Sequence, residues 1–219
     1  VRVRLHEPDP PGVTTLVGCR SLAEAVDLLP ASGVRLAEVM TADGLDVTCR
    51  VTGLAPPLPT AWPVYLLLQT GDLPELPDGA QAVVDDRLVD YRERHPEALA
   101  TLGVVHKYDV SLPMTRLDAV VEEIRSTVAP HRLYTYGHLA EGNLHLGVVG
   151  PSPDDAAIDA DVLGVVVAAG GSIASEHGVG RAKAGLLGLD RDEADIAAMR
   201  AVKRALDPAG LLNPGVVLV

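Results

Sequence analysis

Twice along this 219-residue chain an apolar stretch of period two gives way to a segment of period 3.6 and then returns to period two. A chain written that way lays helices against a sheet, and it makes hairpins wherever two strands follow one another. In the first half Thr14–Cys19 reads as a strand, Ser21 as the N-cap of a helix with Glu24 in the capping-box position, and Arg35–Met40 as a second strand. A proline-rich break at Gly53–Pro63 follows, then a strand at Val64–Thr70, a turn-rich Gly71–Gly79, and a polar helix from about Ala80 to Ala100. The second half repeats the scheme. Lys107–Leu112 is a strand, Thr115 caps a helix reaching about Val128 with Asp118 as its acidic partner, and Arg132–His138 with Leu144–Val149 form a hairpin. Two strand–helix–strand units with hairpin connections predict an α+β fold: a ferredoxin-like antiparallel sheet with helices packed on one face. Additional C-terminal helices are expected at about Asp154–Ala169 and Asp192–Leu206.

The length is enough for a sizeable core. A formal net charge of −12, with acids spread along the chain, argues against a nucleic-acid partner. Cys19 and Cys49 are the only cysteines and form no CxxC, so core thiols in a cytoplasmic protein are expected rather than a disulfide framework. The longest apolar runs fall well short of the ~20 residues a membrane span needs. The chain begins at Val1 with an extended-looking Val1–Leu5, which reads as a strand entering from a longer protein.

The chemistry concentrates in three glycine-framed segments: Gly137–His145, Gly170–Gly180 and Leu206–Gly215. If Glu141 and Gly142 are the centre of a tight turn, residues summing to 283 face each other, which pairs His138 with His145 on one face of the hairpin. Two imidazoles so placed can share a metal. Glu176 is the natural third ligand: Gly170–Gly171 end a helix just before it, and Gly178 and Gly180 let the backbone bend beside it. His, His and Glu with an open fourth position suit a catalytic metal. On spacing alone the same residues also read as surface neighbours, an exposed turn and a helix terminator.

These motifs, with Tyr91-Arg92-Glu93, Lys107–Pro113 and Asp207–Gly215, cover nearly the whole chain. Together they resemble the C-terminal domain of the FAD-linked oxidase family, the vanillyl-alcohol-oxidase-type flavoproteins that include D-lactate, glycolate and D-2-hydroxyglutarate dehydrogenases. The resemblance implies that His138, His145 and Glu176 hold a divalent metal, commonly zinc, and that His177 is the base that takes the substrate hydroxyl proton. It implies that Arg92 and Lys107 grip substrate carboxylate. Cofactor binding falls to Asn213 on the flavin side and Glu176 on the metal side. Such a metal lowers the pKa of a 2-hydroxyl, while hydride leaves for FAD. Four departures from the family pattern stand out: Ala140-Glu141 where Gly-Asp is usual, Gly147 and Pro96 at positions usually polar, and Val216 where a basic residue usually follows Asn-Pro-Gly. The losses at Gly147 and Pro96 favour D-lactate or glycolate over 2-hydroxyglutarate.

The domain division implied is residues 1–12 as linker and last strand of an N-terminal FAD-binding domain, and 13–219 as the substrate domain. The partners expected are a small 2-hydroxy acid, that FAD-binding domain, an electron acceptor that sets any peripheral membrane association, and a second copy in a homodimer. Two other readings remain: a catalytically degenerate family member serving as a subunit or binding module, and a zinc hydrolase using His138, His145 and Glu176. The hydrolase lacks a helix-borne His-Glu-x-x-His.

Overall fold

The computed structural model describes residues 12–103 and 105–218, so the expected entering strand at Val1–Pro11 lies outside the described residues. In chain order the elements are β1 Val13–Cys19, α1 Leu22–Asp27, β2 Val34–Thr41, α2 Ala42–Thr52, β3 Val64–Thr70, β4 Ala82–Val84, α3 Val89–Glu93 and α4 His95–Ala100. They continue with β5 Val105–Ser111, α5 Leu117–Thr127, β6 Arg132–His138, β7 Asn143–Val149, α6 Ala156–Ala168 and α7 Glu193–Leu206. All strands join one antiparallel sheet in the order β4-β1-β3-β2-β6-β7-β5, so the expected α+β architecture holds.

That order is a duplication. The unit β1-α1-β2-β3 and the unit β5-α5-β6-β7 fold alike, and their sheets join edge to edge where β2 pairs with β6. At this seam Glu38 faces His138, Val39 faces Gly137 and Met40 faces Tyr136. Because side chains alternate across a strand, one face of the sheet is assigned throughout by parity. Val17, Val39, Leu66, Val110, Leu133 and Leu146 point to the face covered by α1, α5 and α6, which holds the largest core. Burying a leucine or valine there contributes about 1.5–3 kcal/mol each. Leu16, Met40 and Tyr65 point the other way, beneath α2. Glu38, Tyr136, His138, His145, Lys107 and Asp109 have that second parity, so the chemistry is collected on the face that the main core leaves free.

Four local expectations are corrected. Residues 42–52 form a helix that the sequence did not announce: Gly44, Thr48 and Thr52 are weak helix formers, but Leu45, Val47 and Thr48 are buried and Gly53 ends the helix with an N–H bonded to Cys49 O at 2.9 Å. The polar helix expected over Ala80–Ala100 is broken instead. Its start pairs with β1 as β4, Asp85 caps a 3-10 turn, and the remainder bends at Arg94 into α4, with Pro96 in the first turn where a missing N–H costs nothing.

Thr115 does not cap α5; it lies inside the 3-10 turn Met114–Arg116 that leads into the helix. Asp118 instead caps α1 from across the core, accepting from Leu22 N at 2.9 Å and Ala23 N at 2.7 Å. Ser21 is the N-cap as expected, accepting from Glu24 N at 3.0 Å. The fourth correction is the hairpin register. Paired residues sum to 281, not 283, because a 3-10 turn over Leu139–Glu141 precedes a left-handed Gly142 and the loop is longer than two residues. His138 therefore faces Asn143, and His145 faces Tyr136. A shift of two preserves the face, so the histidines are diagonal neighbours on the same side.

Candidate active site

His138 ends β6 and His145 lies in β7, their rings 5.3 Å apart and edge-on. Glu176 and His177 arrive on the loop that follows α6. Asp109 of β5 draws this loop in: its Oδ2 accepts from the backbone N–H groups of Ser175 (3.0 Å), Glu176 (2.8 Å) and His177 (2.8 Å). Burial pushes the Asp109 carboxyl up, but these three amides and His177 outweigh it and hold the group below the usual range. Lys183 ties the far side of the loop, donating to Asp109 O at 3.2 Å and to Ile173 O.

The result is a convergence. Glu176 Oε1 lies 3.3 Å from His138 Nε2, 3.2 Å from His145 Nε2 and 3.4 Å from His177 Nε2. The His145 and His177 rings stack at 5.2 Å, 11° from parallel. His138 Nδ1 lies 2.6 Å from Glu38 Oε1, and a carboxylate only accepts, so Nδ1 carries the hydrogen. The Nε2 lone pair of the neutral ring then aims at a carboxylate oxygen. Two acceptors set face to face call for a proton or a metal cation between them, which is the test the donor set passes. Asp109 Oδ1 adds a buried acceptor without a hydrogen-bond partner among the described residues, 3.7 Å from His145 Nδ1. Asp109, His145, Glu176 and His177 each offer a ligand atom within 4.8 Å of the others, a set of both carboxylates and two of the three imidazoles that does not include His138. Burial, then the nearby Arg92 charge, pushes the His145 imidazole down to about 4, the neutral form a metal needs.

A cavity of about 250 Å³ opens beside these groups, lined among others by Lys107, Tyr136, His145, His177 and Arg181. Pro96 and Gly147, two of the departures noted in the sequence, also line it. Lys107 is exposed to this cavity. Arg92 does not line it; its Nε donates to Glu38 Oε2 at 2.7 Å, and its guanidinium carbon stands 5.3 Å from the centre of the Tyr136 ring. Asn213 lies on an exposed C-terminal loop with φ of 46°, and this loop is fastened to the site loop by Val217 N donating to Gly180 O at 2.8 Å. The described structure thus brings His138, His145, Glu176 and His177 together and puts Lys107 beside them. Arg92 is set behind Tyr136, and Asn213 on the neighbouring loop.

Two residues of the site escaped the sequence reading. Asp109 was visible only as the acid two positions after Lys107, which puts both on one face of the strand. Glu38 was a lone acid inside the apolar run Val34–Thr41, and it is 2% exposed. Two further histidines, His95 and His106, are buried outside the site. His106 has the parity of Tyr108 and faces the main core, where Asp159 Oδ1 meets His106 Nδ1 at 2.9 Å and the Tyr108 hydroxyl at 2.7 Å. It therefore lies across the sheet from the cavity.

His95 is fully buried, with Nδ1 3.0 Å from the Thr48 hydroxyl. The same hydroxyl lies 3.0 Å from Gly44 O, and His95 Nε2 has no hydrogen-bond partner among the described residues. Burial pushes this imidazole down to about 3, against about 6.5 in the unfolded chain. The unfolded state therefore binds the proton first, and stability present above about pH 6.5 is lost as pH falls toward 3, at up to about 1.4 kcal/mol per pH unit. Urea unfolding at successive pH values should show that slope, and His95→Gln should remove one proton's worth of it.

The sequence profile of the family described as FAD linked oxidases, C-terminal domain, matches residues 75–217. The chain is 31% identical to the mitochondrial D-2-hydroxyglutarate dehydrogenase of Bos taurus over 244 residues, covering 96% of this chain and 45% of that protein. It is 38% identical over 131 residues to a probable mitochondrial D-2-hydroxyglutarate dehydrogenase of Oryza sativa subsp. indica, covering 58% of this chain and 23% of that protein. An uncharacterised FAD-linked oxidoreductase of Mycobacterium tuberculosis is 33% identical over 134 residues, covering 60% of this chain and 29% of that protein. The chain spans about half the length, 45%, of the first of these relatives.

Proposed function

We propose that this chain, which belongs to the C-terminal domain family of FAD-linked oxidases, is the substrate- and metal-binding domain of an FAD-dependent enzyme that oxidises a 2-hydroxy acid to the 2-keto acid. The observation that carries the reading is the approach of three imidazole Nε2 atoms to one oxygen of Glu176. No described helix is long and apolar enough to cross a membrane.

In this reading His138, His145 and Glu176 hold a divalent metal, zinc in the first instance, with Asp109 at hand behind His145. The metal supplies Lewis acidity toward the 2-hydroxyl, and FAD, held by a partner FAD-binding domain, supplies the hydride acceptor. The chain's own residues do the rest. His177, the most exposed of the three imidazoles, takes the hydroxyl proton on Nε2 and passes it to solvent. Its stacking on His145 fixes the plane in which that nitrogen points. Lys107 pairs with a carboxylate in the cavity, and Arg92, steadied by Glu38, adds positive charge behind Tyr136. Asn213, on the loop bound to Gly180, meets the flavin side.

For the substrate itself we propose a small 2-hydroxy acid of the D-lactate or glycolate type, because Pro96 and Gly147 bring no side-chain donor to the cavity wall. D-2-hydroxyglutarate is the second reading, supported by Arg181 on the same wall and by the names of the relatives. Zinc titration of the purified chain tests the metal site. One zinc per chain is expected, with affinity lowered at least ~100-fold in Glu176→Ala and His145→Ala. A wild-type chain without affinity for zinc, manganese or cobalt would overturn it. With the FAD-binding domain supplied, rapid-mixing flavin reduction by D-lactate, glycolate and D-2-hydroxyglutarate ranks the substrates. Ester hydrolysis without flavin would favour the hydrolase instead.

A further inference from the structure

Glu38 lies outside every motif that marks the site, and outside residues 75–217 matched by the family profile. It is nevertheless the residue on which two halves of the site meet. On the seam between the duplicated units it faces His138 directly across the β2–β6 ladder. One of its oxygens, Oε1, accepts from His138 Nδ1 at 2.6 Å, and the other, Oε2, accepts from Arg92 Nε at 2.7 Å. A carboxylate this deeply buried costs heavily unless both its oxygens are paired. Here one charge satisfies two donors on two different elements.

We propose that Glu38 is a positioning residue that sets the tautomer of His138 and holds Arg92 beside Tyr136, so that the metal side and the carboxylate side of the site are assembled by one anchor. This inference rests on the metal reading above. The physical content is a hydrogen count. With Nδ1–H committed to Oε1, the only lone pair of neutral His138 is on Nε2, facing Glu176. Arg92 commits Nε to Oε2 and has no other acid partner among the described residues, so its charge is held against the Tyr136 ring at the edge of the site.

Glutamine at position 38 keeps the shape and breaks the count. Its amide offers one acceptor and one donor where Glu38 offers two acceptors, so it cannot receive both His138 Nδ1–H and Arg92 Nε–H. Keeping the arginine bond turns an N–H toward His138 and favours the Nε2–H tautomer, whose lone pair lies on Nδ1, turned to the amide and away from Glu176.

The test uses the metal-free chain, with imidazole nitrogens followed by long-range proton–nitrogen NMR at about pH 8.5, where an ordinary imidazole is neutral. His138 in the wild type is expected as the Nδ1–H tautomer, and in Glu38→Gln as Nε2–H or a mixture. Zinc Kd is expected to rise roughly 10–100-fold in Glu38→Gln. On a His138→Ala background the same substitution should leave zinc Kd unchanged, which a merely structural role would not give. Arg92→Gln should leave the tautomer in place. A folded Glu38→Gln chain with the wild-type tautomer, or with zinc Kd within about twofold of wild type, would overturn the proposal. Should that variant fail to fold, Glu38→Asp, which withdraws the carboxylate by one methylene, reads the same coupling: loss of the hydrogen-bonded Nδ1–H signal is expected, and its retention with unaltered zinc affinity would overturn the idea. Absence of zinc binding in the wild type would instead remove the metal reading, while the tautomer measurement still decides the role of Glu38.

Discussion

Asp109→Ala is expected to release the loop that carries Glu176 and His177, with amide hydrogen exchange at residues 175–177 at least ~100-fold faster and zinc affinity falling in step. Oδ2 of Asp109 is the shared acceptor of all three amides. A hydrogen bond to a charged group contributes about 1.5–3 kcal/mol, and the three act together, so removing their acceptor should open the loop without unfolding the sheet. The strand itself is held by its pairing with β7 over all seven residues from Val105 to Ser111. Circular dichroism should therefore be little changed while the local exchange rises. Asp109→Asn keeps an oxygen acceptor and loses the charge, so it should fall between the two. Wild-type exchange at these amides in the alanine variant would mean that Lys183 and the packing of Ile173 hold the loop by themselves, and that Asp109 is not the group that gathers the site.

Gly137→Ala is expected to cost at least about 3 kcal/mol, a fall in Tm of roughly 6–12 °C for a chain of this length. Gly137 has φ of 146°, a region L-residues seldom enter. A Cβ there would come 2.5 Å from Asn143 O and 2.9 Å from Leu144 Cα, both backbone atoms of β7 that cannot rotate aside. Relief requires β6 and β7 to part at the point between His138 and His145, so zinc binding should weaken together with stability. The neighbouring hairpin loop is tuned in the same way by Gly142, where a Cβ would meet Leu112 O at 2.4 Å. A differential scanning measurement showing Gly137→Ala within about 1 °C of wild type would show that the ladder there is slack.

What the sequence by itself determined is the part governed by short-range rules. Period two located β1, β2, β3, β5, β6 and β7, and period 3.6 together with capping residues and glycine or proline stops located the helices α1, α5, α6 and α7, to within a few residues. The helices α2, α3 and α4 were less legible, since Gly44, Thr48 and Pro96 carry little helix preference and are held by tertiary packing and by Gly53. Parity put His138 and His145 on one face even though the turn was misjudged, because an error of two residues leaves the face unaltered. The tertiary structure alone decided what meets what. Asp118 caps a helix 95 and 96 residues away, Glu38 meets His138 100 residues away, and Asp109 gathers a loop 66 to 68 residues further on. No local pattern encodes such partners: the N–H donors a carboxylate finds carry no sequence period, and only the joining of β2 to β6, the packing of α1 on α5 and the bridge of Ser111 to Ser172 bring them within reach.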